Sequence, residues 1–184
     1  MEVAHPSARL ARGITLLELI TTLAVAGVSL AIVVPSWTGL ANRSQATTAA
    51  NRLLAHLHYA RNEAVTRRQM VTLCPSANGT ACSGDPFGWQ HGYLVFADHD
   101  GNRQRSPGEP LLRVQGGHDA SLRLQTSAGR PAVRFRPDGA AWSTNATFRV
   151  CLDEDGANRA IVLYGTGRAR VARQLPDGQP VTCR

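Results

Sequence analysis

Between Ile14 and Val34 the chain reads ITLLELITTLAVAGVSLAIVV, an apolar stretch broken by one charge, Glu18. About 20 mainly apolar residues form a helix long enough to span a bilayer core, so this stretch is no ordinary surface helix. The segment before it, 1–13, is short and polar, with Arg9 and Arg12 as its cations. By the positive-inside rule these arginines hold the N-terminal side in the cytoplasm and place the rest of the chain outside. A secretory signal peptide needs a small-residue cleavage site after its apolar run, and Pro35-Ser36-Trp37 offers none. A plain membrane anchor has no use for Glu18, because a carboxylate costs about 2.5–3.5 kcal/mol at the centre of a membrane helix and less near its ends.

The run Arg12-Gly13-Ile14-Thr15-Leu16-Leu17-Glu18-Leu19-Ile20 resembles the class III signal of type IV pilins and type II secretion pseudopilins. The resemblance implies that a prepilin peptidase cleaves after Gly13 and that the new N-terminus, Ile14, is methylated. It implies that Glu18 takes the fifth mature position, where it serves filament assembly, and that Pro35 takes the twenty-second. The usual first mature residue is Phe, and here it is Ile14. In a filament core without water, a carboxylate at Glu18 paired with a neighbour's N-terminal ammonium relieves the cost of two isolated charges. Residues 1–13 are thus expected to be a leader peptide and 14–34 a transmembrane and filament-core helix.

Beyond Pro35 the pattern stays helical but turns amphipathic. Ala49, Leu53, Leu57, Ala60 and Ala64 recur at three- and four-residue spacing, with Arg52, Arg61, Asn62, Arg67 and Arg68 mostly on the other side. One helix from about Ile14 to about Arg68 is expected, its 35–68 half packing on a sheet. From residue 69 the pattern becomes short apolar or alternating runs: Val71–Cys74, Gly92–Ala97, Leu111–Gln115, Ser121–Gln125, Ala132–Arg136, Thr147–Leu152, Ala160–Tyr164 and Arg168–Ala172. Turn residues divide them, at Asn78-Gly79, Asp100-Gly101, Gly116-Gly117, Pro137-Asp138-Gly139 and Asp155-Gly156. Val133-Arg134-Phe135-Arg136 and Leu122-Arg123-Leu124 have period two, which predicts apolar side chains inward and arginines outward. The fold class is α+β: a long N-terminal helix packed on an antiparallel sheet or β-sandwich head covering 69–184.

Four cysteines, Cys74, Cys82, Cys151 and Cys183, fall on the extracytoplasmic side, where disulfides persist. Cys74 and Cys82 bracket a short loop and are expected to pair, leaving Cys151 with Cys183, although four cysteines allow three pairings. No two lie two to four residues apart, which argues against zinc.

Enzyme motifs are absent: no G-x-S-x-G, no H-E-x-x-H and no phosphate-binding glycine loop. His56 and His58 stand at i, i+2 on a helix and face different ways. His91, His99 and His118 are scattered near turns. Asp98, Asp100, Asn102 and Glu109 occupy the first, third, fifth and twelfth places of a calcium loop. The sixth place, normally Gly, is Arg103, Arg105 adds positive charge, and Pro107-Gly108 marks an ordinary turn. The reading is a hairpin connection, with no metal and no cofactor assigned.

The formal charge is +7, and all 20 cations are arginine, whose planar guanidinium suits phosphate and carboxylate. Loss of residues 1–13 leaves 18 arginines against 12 carboxylates. Near the C-terminus Gly167-Arg168-Ala169-Arg170-Val171-Ala172-Arg173 packs three arginines into six residues. On a strand Arg168 and Arg170 share a face about 7 Å apart, the spacing of successive phosphates on one nucleic-acid strand; Arg173 has the opposite parity. No aromatic lies between these arginines, so base stacking is not expected.

Ala60-Arg61-Asn62-Glu63-Ala64, Val71-Thr72-Leu73-Cys74, Gly92-Tyr93-Leu94-Val95-Phe96 and Gly167-Arg168-Ala169-Arg170 together resemble the FimT/GspH family of minor pilins and pseudopilins, and FimT most. FimT-like proteins carry a glycine-arginine-any-arginine element that binds DNA, which matches Gly167, Arg168 and Arg170 here. The resemblance implies a non-enzymatic minor pilin that binds double-stranded DNA through phosphates for natural transformation, with Arg173 adding charge. Its partners are other major and minor pilins, prepilin peptidase and, before assembly, the inner membrane. It implies a single-pass inner-membrane protein with a periplasmic head that passes into the pilus fibre at the cell surface. The alternatives are a structural pseudopilin of a type II secretion system and a pilus-priming minor pilin without DNA binding.

Overall fold

The computed structural model describes residues 13–141, 145–152 and 158–183, with backbone alone for 32–43. The leader up to Arg12 and the Asp155-Gly156 turn lie outside the described residues, as does the side chain of Pro35. One helix, α1, runs Leu16–Arg67, and the chain divides into compact units at 1–40 and 41–184.

In the first unit, helix α1 starts on a capping pattern. Thr15 precedes the first helical residue, and its hydroxyl accepts the backbone N–H of Glu18 at 3.2 Å. Thr-x-x-Glu is the capping-box spacing, and a carboxylate in the first turn also favours the positive end of the helix dipole. Glu18 therefore has a local helical role that the sequence reading did not assign. Ile14, Leu16, Leu17, Leu19, Ile20, Leu23, Val25, Val28 and Leu30 are all exposed. Among the described residues, no helix is long and apolar enough to cross a membrane. The rest of the 14–34 run, from Ile32 on, has its side chains outside the described residues.

Among the described residues the second unit has eight strands: β1 Val71–Pro75, β2 Gly92–Ala97, β3 Leu111–Gly116, β4 Leu122–Thr126, β5 Val133–Phe135, β6 Ala146–Leu152, β7 Arg159–Leu163 and β8 Ala169–Ala172. They form two four-stranded antiparallel sheets, in orders β3-β2-β1-β5 and β4-β6-β7-β8. The small and branched stripe of α1, namely Ala46, Ala49, Ala50, Leu53, Leu57, Ala60 and Ala64, is buried in one core with the inner faces of both sheets. Val71, Leu73, Tyr93, Val95 and Phe135 come from the first sheet, and Leu124, Phe148, Val150, Ile161 and Leu163 from the second. The fold is α+β, as the periodicity predicts.

Each sheet is also covered over part of its outer face. Cys74, Leu94 and Phe96 form a small cluster with Cys82 and Ala132, closed by the Cys74–Cys82 disulfide. Cys151, Ala160 and Val181 form another with Ala172, Leu175 and Cys183. Here the C-terminal tail lies over the second sheet, tied by the Cys151–Cys183 disulfide and by Asn158 Nδ2, which donates to the Val181 carbonyl at 2.8 Å. Both pairings agree with the short-loop reading.

Two arginines depart from the outward placement. Arg134, on the outer face of β5, is only 6% exposed because the 98–109 connection covers it. Its Nη1 donates to the Gly101 carbonyl and stands 3.8 Å from Asp98 Oδ2. Arg61 is half-buried and donates from Nε to the Gly139 carbonyl at 3.0 Å.

Candidate nucleic-acid interface

Among the described residues strand β8 is the last of its sheet, with one edge unpaired. Its register on β7 sets Val162 opposite Arg170 and Leu163 opposite Ala169. Ala169 and Val171 pack against the core, whereas Arg168 and Arg170 are exposed on the other face. The two-residue period thus brings these two guanidinium stems to one side. Arg173 follows the strand's end and is exposed.

A tight hairpin turn delivers the pair. Tyr164 N–H donates to the Arg168 carbonyl at 2.9 Å, and Gly167 N–H to the Tyr164 carbonyl at 2.8 Å. Gly167 has φ +80°, a left-handed conformation that favours glycine. A Cβ there would collide with the Gly139 carbonyl oxygen and lie 3.1 Å from Arg61 Nε. Gly167 is buried, so the close approach its missing side chain permits is to Gly139. Ala141 N–H donating to the Gly165 carbonyl, and Gly165 N–H donating to Asn145 Oδ1, fix the other side of the turn.

Tyr164 is the residue the sequence reading missed. It lies six positions before Arg170, but the hairpin folds it back, and Arg170 Nε donates to its hydroxyl at 3.1 Å. Tyr164, Thr166, Arg168, Ala169 and Arg170 line one open pocket of about 440 Å³. The expectation that no aromatic accompanies the arginines therefore holds along the chain and fails in space. The signal was Tyr164 ending one strand just before a Gly-Thr-Gly turn. Register adds Arg149 of β6 and Arg123 of β4 to the same sheet face, Arg149 being half-buried.

Other predicted residues lie elsewhere. His56 Nδ1 shares a hydrogen bond of 2.8 Å with the Tyr93 hydroxyl and has no metal-binding partner histidine at His58. Asp98, Asp100 and Glu109 converge, each offering a carboxylate oxygen within 4.8 Å of the others. Asn102, at the fifth place of the calcium-loop pattern, has its Oδ1 accepting the Gln104 N–H at 2.6 Å.

Comparison with known proteins places this fold. The family model for the type II transport protein GspH matches residues 49–167. The chain belongs to the GspH family. The match ends at Gly167, immediately before the arginines. The pilin-like protein PilA1 of Thermus thermophilus is 32% identical over 165 residues, covering 87% of this chain and 97% of that protein. The type IV minor pilin FimU of Pseudomonas aeruginosa superposes with a TM-score of 0.54 at 22% identity, covering 71% of this chain and 90% of FimU. A second crystal form of FimU gives 0.53 at the same identity, over 68% and 91%. Membership of this family makes the chain a minor pilin or pseudopilin, a structural and non-enzymatic protein of the pilus and cell surface that assembles with other pilins.

Proposed function

We propose that this minor pilin binds double-stranded DNA through Arg168 and Arg170, with Arg173 adding charge, and serves DNA uptake in natural transformation. The observation that carries the reading is the exposed pair of guanidinium side chains on one face of edge strand β8, beside an open pocket. A planar donor fork suits phosphate oxygens, and two forks about 7 Å apart meet successive phosphates. Contacts of this kind position DNA without reading its sequence, so binding is non-specific and falls with salt. Cleavage after Gly13 by prepilin peptidase, methylation at Ile14, inner-membrane anchoring through 14–34 and an assembly role for Glu18 complete the proposal. The exposed apolar side chains from Ile14 to Leu30 support it, because lipid or neighbouring pilin helices would take them out of water.

The test is a gel shift of a short DNA duplex with the full chain in detergent. Arg168→Gln/Arg170→Gln should weaken binding at least tenfold with an unchanged melting temperature. Equal affinity would remove the assignment. The family match, which ends before Arg168, favours a second reading: a GspH-like pseudopilin that contacts only other pilins. A deletion that stops protein export and leaves transformation intact would select it.

A further inference from the structure

We propose that the connection between β2 and β3 is a calcium site formed by Asp98, Asp100 and Glu109. One oxygen from each carboxylate lies within 4.8 Å of the others, the span across a single ion bonded at about 2.4 Å. Asp98 is fully buried and its two oxygens are used unequally. Oδ2 accepts the Thr72 hydroxyl at 2.6 Å and stands 3.8 Å from Arg134 Nη1. Oδ1 is buried and has no hydrogen-bond partner. An unpaired buried carboxylate oxygen is expensive, and a cation held by the Asp98 carboxylate together with Asp100 and Glu109 offsets that cost.

The remaining groups are held ready. Glu109 is buried at 5% exposure; its Oε1 accepts the His99 N–H and its Oε2 the Ser106 N–H, both at 2.8 Å. Asp100 accepts the Asn102 N–H at 3.0 Å and its Nδ2 at 2.7 Å. Each oxygen keeps a second lone pair for a metal. Of the two arginines that argue against a cation in the sequence, Arg105 is engaged away from the three carboxylates. Arg105 Nη1 donates to the Thr80 carbonyl at 2.9 Å, and Arg103 lines a pocket with Cys74 and Cys82. Arg103 itself adopts φ +66°, so the sixth loop position makes its sharp turn without glycine. Among the described residues Arg134 is the cation paired with Asp98, and three carboxylates against one guanidinium leave an excess of two negative charges, which a divalent ion neutralises.

The site is independent of the arginine pair on β8, and its test does not involve DNA. Calcium chloride titrated into the full chain in detergent micelles should give the heat of a single site, with an affinity in the ~0.1–1 mM range of extracellular modules. At tenfold excess over Kd the melting temperature should rise by about 3–5 °C. Asp100→Asn, at an exposed position outside the core, should weaken binding at least tenfold while leaving the calcium-free melting temperature in place. Absence of heat and of any thermal shift up to 10 mM calcium (roughly ten times the weakest expected Kd) would overturn the proposal. So would undiminished binding by Asp100→Asn, and an equal response to magnesium chloride would overturn the choice of calcium.

Discussion

Single atoms decide how the β8 hairpin presents its arginines. Gly167 is left-handed at φ +80° and faces the Gly139 carbonyl, which also accepts Arg61 Nε. One missing side chain thus lets the hairpin, the Pro137-Asp138-Gly139 turn and α1 meet. Gly167→Ala combines backbone strain with a collision against backbone, and should cost about 2–4 kcal/mol by chemical denaturation. Arg168→Gln and Arg170→Gln, at exposed positions, should stay within about 0.5 kcal/mol of the parent. This contrast separates the two halves of a motif that is contiguous in sequence: the glycine shapes the turn and the arginines face outward. A Gly167→Ala chain with parental stability would show that the turn has another way to close.

At the scale of elements, the pairing of α1 with β2 is sensitive to acid. His56 on the helix is hydrogen-bonded to Tyr93 on the strand, and its pKa is lowered from the usual 6.5 by burial first, then by Arg113 and Arg52. His118 is lowered by burial and Arg52, against an opposing pull from Asp119. Burial pushes the Tyr93 hydroxyl pKa up, so it keeps its proton. The unfolded chain therefore takes up protons before the folded one as pH falls. Stability present above about pH 6.5 is lost on the way down through the lowered folded pKa values. Melting temperature should fall between pH 7 and 5, and His56→Gln/His118→Gln should flatten that part of the profile; an unaltered slope would locate the loss elsewhere. The tail is the second sensitive element. By the chain-entropy model, opening Cys151–Cys183, at a separation of 32, costs about 3.7 kcal/mol against about 2.5 for Cys74–Cys82 at a separation of 8. Cys183→Ser/Cys151→Ser should thus be the less stable double variant in thermal unfolding, with protease cutting beyond Arg173. The strands themselves were legible, because alternation and Gly- or Asp-rich turns bound each to within a residue or two. What covers a sheet's outer face was not. Arg134 alternates as a solvent residue should, yet the 98–109 loop, more than twenty positions away, buries it; Tyr164 reaches Arg170 only through the hairpin.

For the whole molecule, the question is whether net charge or one cluster of arginines governs contact with polyanions. The formal +7 is spread over the leader, helix and both sheets. Several arginines are already engaged within the fold, Arg61 with Gly139, Arg134 with Gly101 and Arg105 with Thr80. Diffuse charge and a local cluster predict different salt dependences. Each phosphate neutralised on duplex DNA contributes roughly −0.9 to the slope of log K against log salt. If Arg168, Arg170 and Arg173 each hold one phosphate, the slope should be about −2.7, and Arg168→Gln/Arg170→Gln should bring it to about −0.9. Were the net charge in control, removing two of 20 arginines would lower the slope by only about a tenth. Affinities of both proteins measured between 50 and 200 mM salt (roughly the range over which phosphate contacts weaken most visibly) therefore discriminate by slope, whatever the absolute affinity. A parallel pair of lines would assign binding to the surface at large and leave the β8 arginines as a solvated edge.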